Sequence, residues 1–318
     1  MFEIWNEDCI SGSKKIKDKS VDLLICDPPF GISESTFDKH YARKEKHVLD
    51  GYVEAPKDYY KFTKEWMTEA KRVIKEEGTF YLISGWSNLK DILVVADELG
   101  FNIINHLIWK FNFGVNTTKK WVTSHYHILM FGDPKKIKFN THCRFGPQER
   151  DDSGSLLYKD LEDVFYIRKE YQYVDAKNKN KLPNELIRKL ILYSSDEGDT
   201  ICDFFMGNFT TAYNALQLGR NVKGFEMNKN SYDIHFPNLE NQWKTDLKNL
   251  KKVKVIKPRN QGKPLTNTEK GDIIKTYEEG KKEGKKKNQI IKELGDTFGR
   301  GKFSIINILK EAPGDSRP

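Results

Sequence analysis

Two short runs of this 318-residue chain carry residue types that could do chemistry. The first is Asp27-Pro28-Pro29-Phe30, which closes the apolar run Val21-Asp22-Leu23-Leu24-Ile25-Cys26. Prolines fix φ and donate no backbone hydrogen bond, so an acid, two prolines and an aromatic at a strand end make a rigid floor of outward-pointing acceptors. An exocyclic amine fits that floor. Its N–H groups can donate to Asp27 and the Pro28 carbonyl while Phe30 stacks on the attached ring. The second run is Asp203-Phe204-Phe205-Met206-Gly207-Asn208-Phe209-Thr210-Thr211, with Glu226 following 23 residues after Asp203. A loop that enters a helix offers unpaired backbone N–H groups and a positive dipole end to an anion such as a cofactor carboxylate. An acid ending the second strand of a βαβ unit commonly accepts from ribose hydroxyls.

Positioning these runs requires strand tips, and the pattern supplies them. Val21–Cys26, Thr79–Ile83, Ile103–Trp109, Thr200–Phe205 and Asn221–Glu226 read as strands rich in β-branched and aromatic residues. Between them, residues 58–76 place Tyr59, Phe62, Trp66, Met67, Ala70, Val73 and Ile74 at helical spacing, with a stop at Gly78. Leu89–Leu99, a helix opening at Pro183 and Ala212–Leu218 are the other helices of this part. Alternating strands and helices predict an α/β fold, a doubly wound, mixed but mostly parallel sheet. The polar segment 33–57 is long for a connection and reads as a lid. Residues 131–180, polar, basic and aromatic with little periodicity, read as an inserted recognition region.

Composition narrows the class further. A 37% hydrophobic content supports a real core, no apolar run approaches the roughly 20 residues of a membrane span, and the first residues lack a basic and apolar leader. A cytoplasmic protein is expected. Cys9, Cys26, Cys143 and Cys202 lie far apart without a CxxC pair, which argues against a zinc finger or a disulfide scaffold. Residues 250–310 hold 17 Lys and Arg against 7 Asp and Glu, a net +10 that exceeds the +8 of the whole chain. A basic block on a nearly neutral body suits a polyanion. Within it, 250–264 reads as a basic linker and 265–318 as a small basic domain of three short helices, similar to a helix-turn-helix. His125 and His127 share a strand face but have no third ligand nearby in sequence, so no metal is expected. Trp66, Trp86, Trp109 and Trp121 are read as core and surface packing, with pocket lining as the alternative for Trp86 after Ser84-Gly85 at a strand end, and Cys26 as core.

Taken in order, the Asn6-Glu7-Asp8-Cys9 to Val21-Asp22-Leu23 stretch, the DPPF run, the Lys- and Pro-bearing helix start and the D-x-F-x-G-x-x-T-T loop resemble the S-adenosylmethionine-dependent DNA amino-methyltransferases. The likeness covers roughly residues 1–235, in the β arrangement, where the catalytic motif precedes the cofactor motif. It implies a catalytic domain over 1–249. Asp27, Pro28, Pro29 and Phe30 would hold the target amine and its base. Asp203, Phe205, Gly207, Asn208, Thr210, Thr211 and Glu226 would hold the cofactor, with Asp8 and Cys9 near its adenine and Lys181 and Pro183 near its methionine end. The departures are Phe204 for a proline, Asn208 for a serine, Phe209 for a second glycine, and one extra residue between Lys181 and Pro183.

The resemblance implies methyl transfer to a flipped-out adenine N6 in double-stranded DNA, since an acid at the first motif position accompanies N6-adenine and serine accompanies N4-cytosine. No metal or covalent intermediate is needed. Methylation of cytosine N4, or of an amine on RNA or protein glutamine, is the enzymatic alternative, and a catalytically silent DNA-binding module is the other. A cognate restriction endonuclease and a second copy of the chain are the protein partners it suggests.

Overall fold

The computed structural model describes residues 1–31, 54–112, 118–119, 121–146, 160–170, 181–246 and 265–311. The lid reading of 33–57, the 250–264 linker and much of 131–180 fall largely outside them. Among the described residues, no helix is long and apolar enough to cross a membrane. The chain forms two compact units, one of residues 1–141 and 162–251, the other of 142–161 and 252–318.

The first unit is built on one eight-stranded sheet. In chain order it holds β1 (Phe2–Trp5), α1 (Cys9–Gly12), β2 (Val21–Cys26), α2 (Tyr59–Val73), β3 (Ile74–Ser84), α3 (Leu89–Glu98), β4 (Ile103–Lys110), β5 (His125–Phe131), β6 (Val164–Tyr166), α4 (Asn184–Ser194), β7 (Thr200–Asp203), α5 (Thr210–Gln217), β8 (Asn221–Phe225) and α6 (Lys229–Asp246). The strand order is β1-β8-β7-β2-β3-β5-β4-β6. Adjacent strands pair in parallel except at β5, which runs against both β3 and β4.

Helices on both faces explain why the strands are continuously apolar rather than alternating. Leu23, Ile25, Tyr81, Ile83, Ile128 and Met130 face a core shared with α4 and α5. Their neighbours Leu24, Cys26, Phe80, Leu82, Leu129 and Phe131 face one shared with α2 and α3. Helix α2 begins where Asp58 accepts from the Lys61 amide, and it buries Tyr59, Thr63, Trp66, Met67, Ala70 and Val73. Fully burying a side chain the size of Met67 contributes about 1.5–3 kcal/mol. The periodicity that suggested helix to residue 76 overran its end, because Ile74 turns extended and opens β3 beside Val21. Helical spacing of Val73 and Ile74 cannot distinguish the last helical turn from the first residue of a buried strand.

Asp22 aligns the two halves at the end of the strands remote from the motifs: it accepts from the Thr200 amide at 2.9 Å and pairs with Lys75 at 2.6 Å. With Leu23 beside Ile201 and Leu24 beside Cys202, the carboxyl ends of β2 and β7 are adjacent. The chain leaves β2 toward β3 and leaves β7 toward β8, in opposite directions along the sheet. In an open α/β sheet this is the place where a crevice opens for a ligand.

The second unit contains α7 (Asn267–Lys282), α8 (Lys287–Phe298) and α9 (Lys302–Glu311) around Ile273, Ile290, Ile291, Leu294, Ile305 and Ile308. Gly299, at φ 59°, ends α8 in the left-handed conformation that suits glycine. Arg300 grips Glu269 of α7 with two nitrogens at 2.8 Å.

Candidate active site

The DPPF run leaves the tip of β2 as a braced turn. Gly31 takes φ 64° and its amide donates to Glu54 at 2.8 Å, while the Asn88 side chain donates to the Phe30 carbonyl. A Cβ at Gly31 would lie 2.6 Å from the Tyr59 ring, so the turn accepts only glycine without rearrangement. Phe30 meets Tyr126 of β5 edge to face, with centroids 5.3 Å apart. Tyr126 in turn packs on Phe111 and Trp109, at 5.2 and 5.6 Å.

Asp27 stands just past the end of β2, three residues before Phe30. Its Oδ1 is buried and has no hydrogen-bond partner within the protein. Burial, reinforced by the negative charge of Asp203, pushes the carboxyl up to about 8, against an opposing pull from Lys169. A buried acceptor without a donor is costly, and it calls for a ligand that brings an N–H or a positive charge.

The second motif lies beside it. Asp203, the last residue of β7, accepts from the Phe205 amide at 2.9 Å and from the Thr211 hydroxyl, yet burial still raises it to about 6. Glu226, just past β8, accepts from Gly207 N–H at 2.6 Å and Asn228 N–H at 2.7 Å. Burial nevertheless lifts it to about 7. Three acids at the tips of β2, β7 and β8, Asp203 and Glu226 buried and Asp27 half-buried, therefore form one electronegative row. Such a row favours a ligand carrying positive charge and several donors.

The loop from Asp203 to α5 is held at both ends. Met206 N–H donates to the Phe225 carbonyl, and the Ser231 hydroxyl donates to the Gly207 carbonyl at 2.6 Å. Gly207, at φ 51°, is exposed, and a Cβ there would have only the Phe205 carbonyl within 4 Å, at 3.8 Å. That is a cradle left clear for a ligand. Phe205 packs edge-on against Trp66 at 5.3 Å, fixing the loop to α2. Thr210 and Thr211 open α5 and are buried. Asn208 lies on the same loop.

Phe209 accounts for its departure from the resembled pattern. It adopts φ 58°, ψ 22°, the left-handed conformation for which glycine is the usual residue, and it is only 2% exposed. Its ring packs against Tyr232 and His235 of α6. Burial of a large ring offsets the cost of about 1–2 kcal/mol for placing a side chain in that region. Phe204, the other departure, is likewise core and meets Phe225 edge to face.

The remaining expected residues sit at the margins of this row. Asp8 caps α1, accepting from Ile10 and Ser11, and buried Cys9 feels the charges of both Asp8 and Asp203. Asn6 ties the β1 end to the Glu226 carbonyl at 2.7 Å. Pro183 is the N-cap residue of α4, and its neighbour Asn184 accepts from Asn214 of α5. Lys181 is turned toward Glu170, 3.9 Å away, which also receives both Asn184 donors. His127 pairs with His106 at 2.7 Å, and among the described residues no group of His, Cys, Asp or Glu is arranged to hold a metal. Trp86 is exposed, whereas Trp66 and Trp109 are core.

Sequence reasoning missed Gly31, Asn88, Phe111, Tyr126, Lys169 and Asn228. Gly31 was the one with a local signal, a glycine directly after a rigid turn. Phe111, Tyr126 and Lys169 reach the site through pairings of distant strands, Asn88 from the start of α3, and Asn228 from two residues past Glu226.

A doubly wound sheet with an acid whose Oδ1 lacks a partner at one strand tip, and an open glycine loop and a further acid at the next two, is the kind of crevice in which nucleotide cofactors are commonly bound. The known proteins similar to this chain agree. Residues 21–236 match the N6_N4_Mtase family, described as DNA methylase. The chain is 28% identical over 245 residues to Type II methyltransferase M.HpaI of Haemophilus parainfluenzae, covering 74% of this chain and 73% of that protein. It is 27% identical over 282 residues to DNA adenine methyltransferase YhdJ of Escherichia coli K12, covering 82% of this chain and 90% of that one. In fold it resembles the putative DNA modification methylase TTHA0409 of Thermus thermophilus, solved with S-adenosyl-L-methionine, with a TM-score of 0.55, 17% identity and coverage of 76% and 94%. The chain belongs to the N6/N4 family of DNA methylases.

Proposed function

We propose that the chain methylates the N6 amine of adenine in duplex DNA at a specific site, taking the methyl group from S-adenosylmethionine. The observation that carries this reading is the adjacency of the β2 and β7 tips, which sets an unpartnered acid beside a glycine loop. The electronegative row of Asp27, Asp203 and Glu226 fits a cofactor that is positively charged at sulfur and rich in donors. Glu226 would hold its ribose, the Gly207–Thr211 loop its methionine part with the start of α4, and Asp8 and Cys9 would border its adenine.

Bound there, the cofactor supplies an electrophilic methyl group. The protein supplies everything that makes an adenine amine, whose lone pair is delocalised, attack it. Asp27 and the Pro28 carbonyl accept from the two amine hydrogens, which favours a pyramidal nitrogen and stabilises the positive charge that develops there. Asp27, once charged, would also accept the proton the amine sheds. Phe30, backed by Tyr126, gives the base a stacking face, at about 1–3 kcal/mol, against a few kcal/mol for extruding it from the duplex. Asp27 rather than serine, and the relative named as an adenine methyltransferase, favour adenine over cytosine N4.

The helical unit of residues 265–311, with its helix–glycine turn–helix and exposed Lys286, Lys287 and Lys292, would add contacts to the phosphate backbone. Deleting it should then raise the Kd for DNA and flatten its salt dependence. The type II designation of one relative supports a restriction-modification setting on cytoplasmic DNA. The deciding experiment is to expose DNA to the protein and cofactor, hydrolyse it to nucleosides and separate them. N6-methyladenine supports the proposal, N4-methylcytosine moves the activity to cytosine, and neither base leaves the silent DNA-binding module.

A further inference from the structure

Trp86 is a large aromatic residue that the proposed reaction leaves unused. It lies in the turn 85–88 between β3 and α3, and that turn is fastened to the DPPF run on both sides of it. On one side Phe30 lies against Gly85, where an added Cβ would be 3.4 Å from the ring. On the other, the Asn88 side chain donates to the Phe30 carbonyl. The turn is closed by the Leu89 amide, which donates to the Trp86 carbonyl at 3.3 Å, and the Ser84 hydroxyl holds the Gly85 carbonyl at 2.8 Å. The backbone of Trp86 is thereby fixed close to Phe30, about 3.8 Å along the chain from Gly85. Its own ring is 68% exposed, and among the described residues no other ring or cation stands against it. An exposed aromatic alone means little. One whose backbone is held on both sides to a base-stacking residue has a fixed place at the edge of that site.

We propose that Trp86 enters the duplex beside the extruded adenine, fills the space that base leaves and stacks on the neighbouring bases. Extruding a base breaks its stacking on both sides, and a planar apolar side chain is the kind of group that restores those contacts. Phe30 cannot do both tasks, because it is braced between Gly85 and Tyr126 and is taken up by the extruded base itself. The gap needs a second ring, with free faces and a fixed base, and Trp86 has both. Ser87 and Lys90, exposed on the same turn and on the first turn of α3, carry the hydroxyl and ammonium donors that flanking phosphates accept from. Asp91, the acid of that helical turn, is half-buried. Trp121 is more exposed, at 96%, but among the described residues nothing fastens it to Phe30.

This inference rests on the proposed methyl transfer to an extruded base, and its test separates the two. The full chain, Trp86→Ala and Trp86→Phe are compared in binding two duplexes of one sequence, one intact and one with a single abasic site, by fluorescence anisotropy at two salt concentrations. The Kd for S-adenosylmethionine and methyl transfer to unmethylated plasmid DNA are measured alongside. Wild type should bind the abasic duplex about tenfold more tightly than the intact one, Trp86→Phe should keep most of that preference, and Trp86→Ala should lose it. The salt slope and the cofactor Kd should stay at wild-type values in both variants, which shows folded protein and a lost stacking contact rather than a lost phosphate contact. Emission from Trp86, read as the difference between wild type and Trp86→Phe, should be quenched by the abasic duplex. A wild type without the preference, an alanine variant that keeps it, or emission that the abasic duplex leaves unquenched overturns the proposal. Should Trp86→Ala fail to fold, the emission difference decides, since it needs only Trp86→Phe. Transfer by a wild type whose preference survives in Trp86→Ala defeats this inference alone, whereas an abasic preference carried by Trp86 without transfer to any DNA defeats the proposed function alone.

Discussion

Replacing Phe209 by alanine and by glycine separates two opposing effects that the structure places on one residue. Phe209 is 2% exposed against Tyr232 and His235, and it sits at φ 58° immediately before α5. Truncating a buried phenylalanine costs about 3–5 kcal/mol through lost burial and the cavity left behind. Both variants bear that loss. Alanine also keeps the left-handed strain of about 1–2 kcal/mol, which glycine escapes at an entropic cost of about 0.5–1 kcal/mol. Phe209→Gly should therefore be destabilised, yet by about 0.5–1 kcal/mol less than Phe209→Ala. Guanidinium denaturation followed by tryptophan fluorescence reads this, because all six tryptophans precede residue 250 and report on the sheet-bearing unit. If alanine proves as stable as glycine, residue 209 is not held in the left-handed region, and the account of how phenylalanine replaced a glycine fails.

The buried acids give further expectations. Asp27 has its folded value raised to about 8, so it binds a proton more readily folded than unfolded. Its contribution to stability is full below the unfolded value of about 4 and is lost as pH rises toward 8. Asp27→Asn should remove that slope and stabilise the protein at pH 8 by about 3 kcal/mol, taking half the shift at about 1.4 kcal/mol per unit, as chemical denaturation at pH 5 and pH 8 will show. Glu226→Gln should weaken cofactor binding about tenfold by calorimetry, since a neutral amide replaces a carboxylate that accepts two backbone N–H groups at the ribose position. An unchanged Kd would remove Glu226 from the cofactor site.

Much of the frame was legible because buried parallel strands write themselves as apolar runs without alternation, as Leu23–Cys26 and Ile201–Cys202 do. The acids at their ends were legible too, since a strand tip is where an apolar run stops. The end of α2 was not, because Ile74 is apolar in either reading and only its pairing beside Val21 decides. The aromatic wall was hidden for another reason. Tyr126 reaches Phe30 through β5, the one strand reversed against its neighbours, and no local pattern announces such a reversal. Lys169 was hidden because it follows a three-residue edge strand in a polar stretch whose periodicity is too short to read. Phe209 shows the limit of motif matching: its backbone adopts the left-handed conformation that favours glycine, which the residue's identity does not announce.

The central claim is that the tips of β2 and β7 serve one reaction, one facing the amine and the other the methyl donor. Its most direct test is a pair of measurements on the same preparations of Asp27→Ala and Glu226→Ala: the Kd for S-adenosylmethionine, and the transfer of labelled methyl groups into DNA at saturating cofactor. The account predicts that Asp27→Ala binds the cofactor as the wild type does and transfers nothing, whereas Glu226→Ala binds weakly and recovers transfer as cofactor is raised. An Asp27→Ala protein that still methylates DNA at the wild-type rate would contradict it.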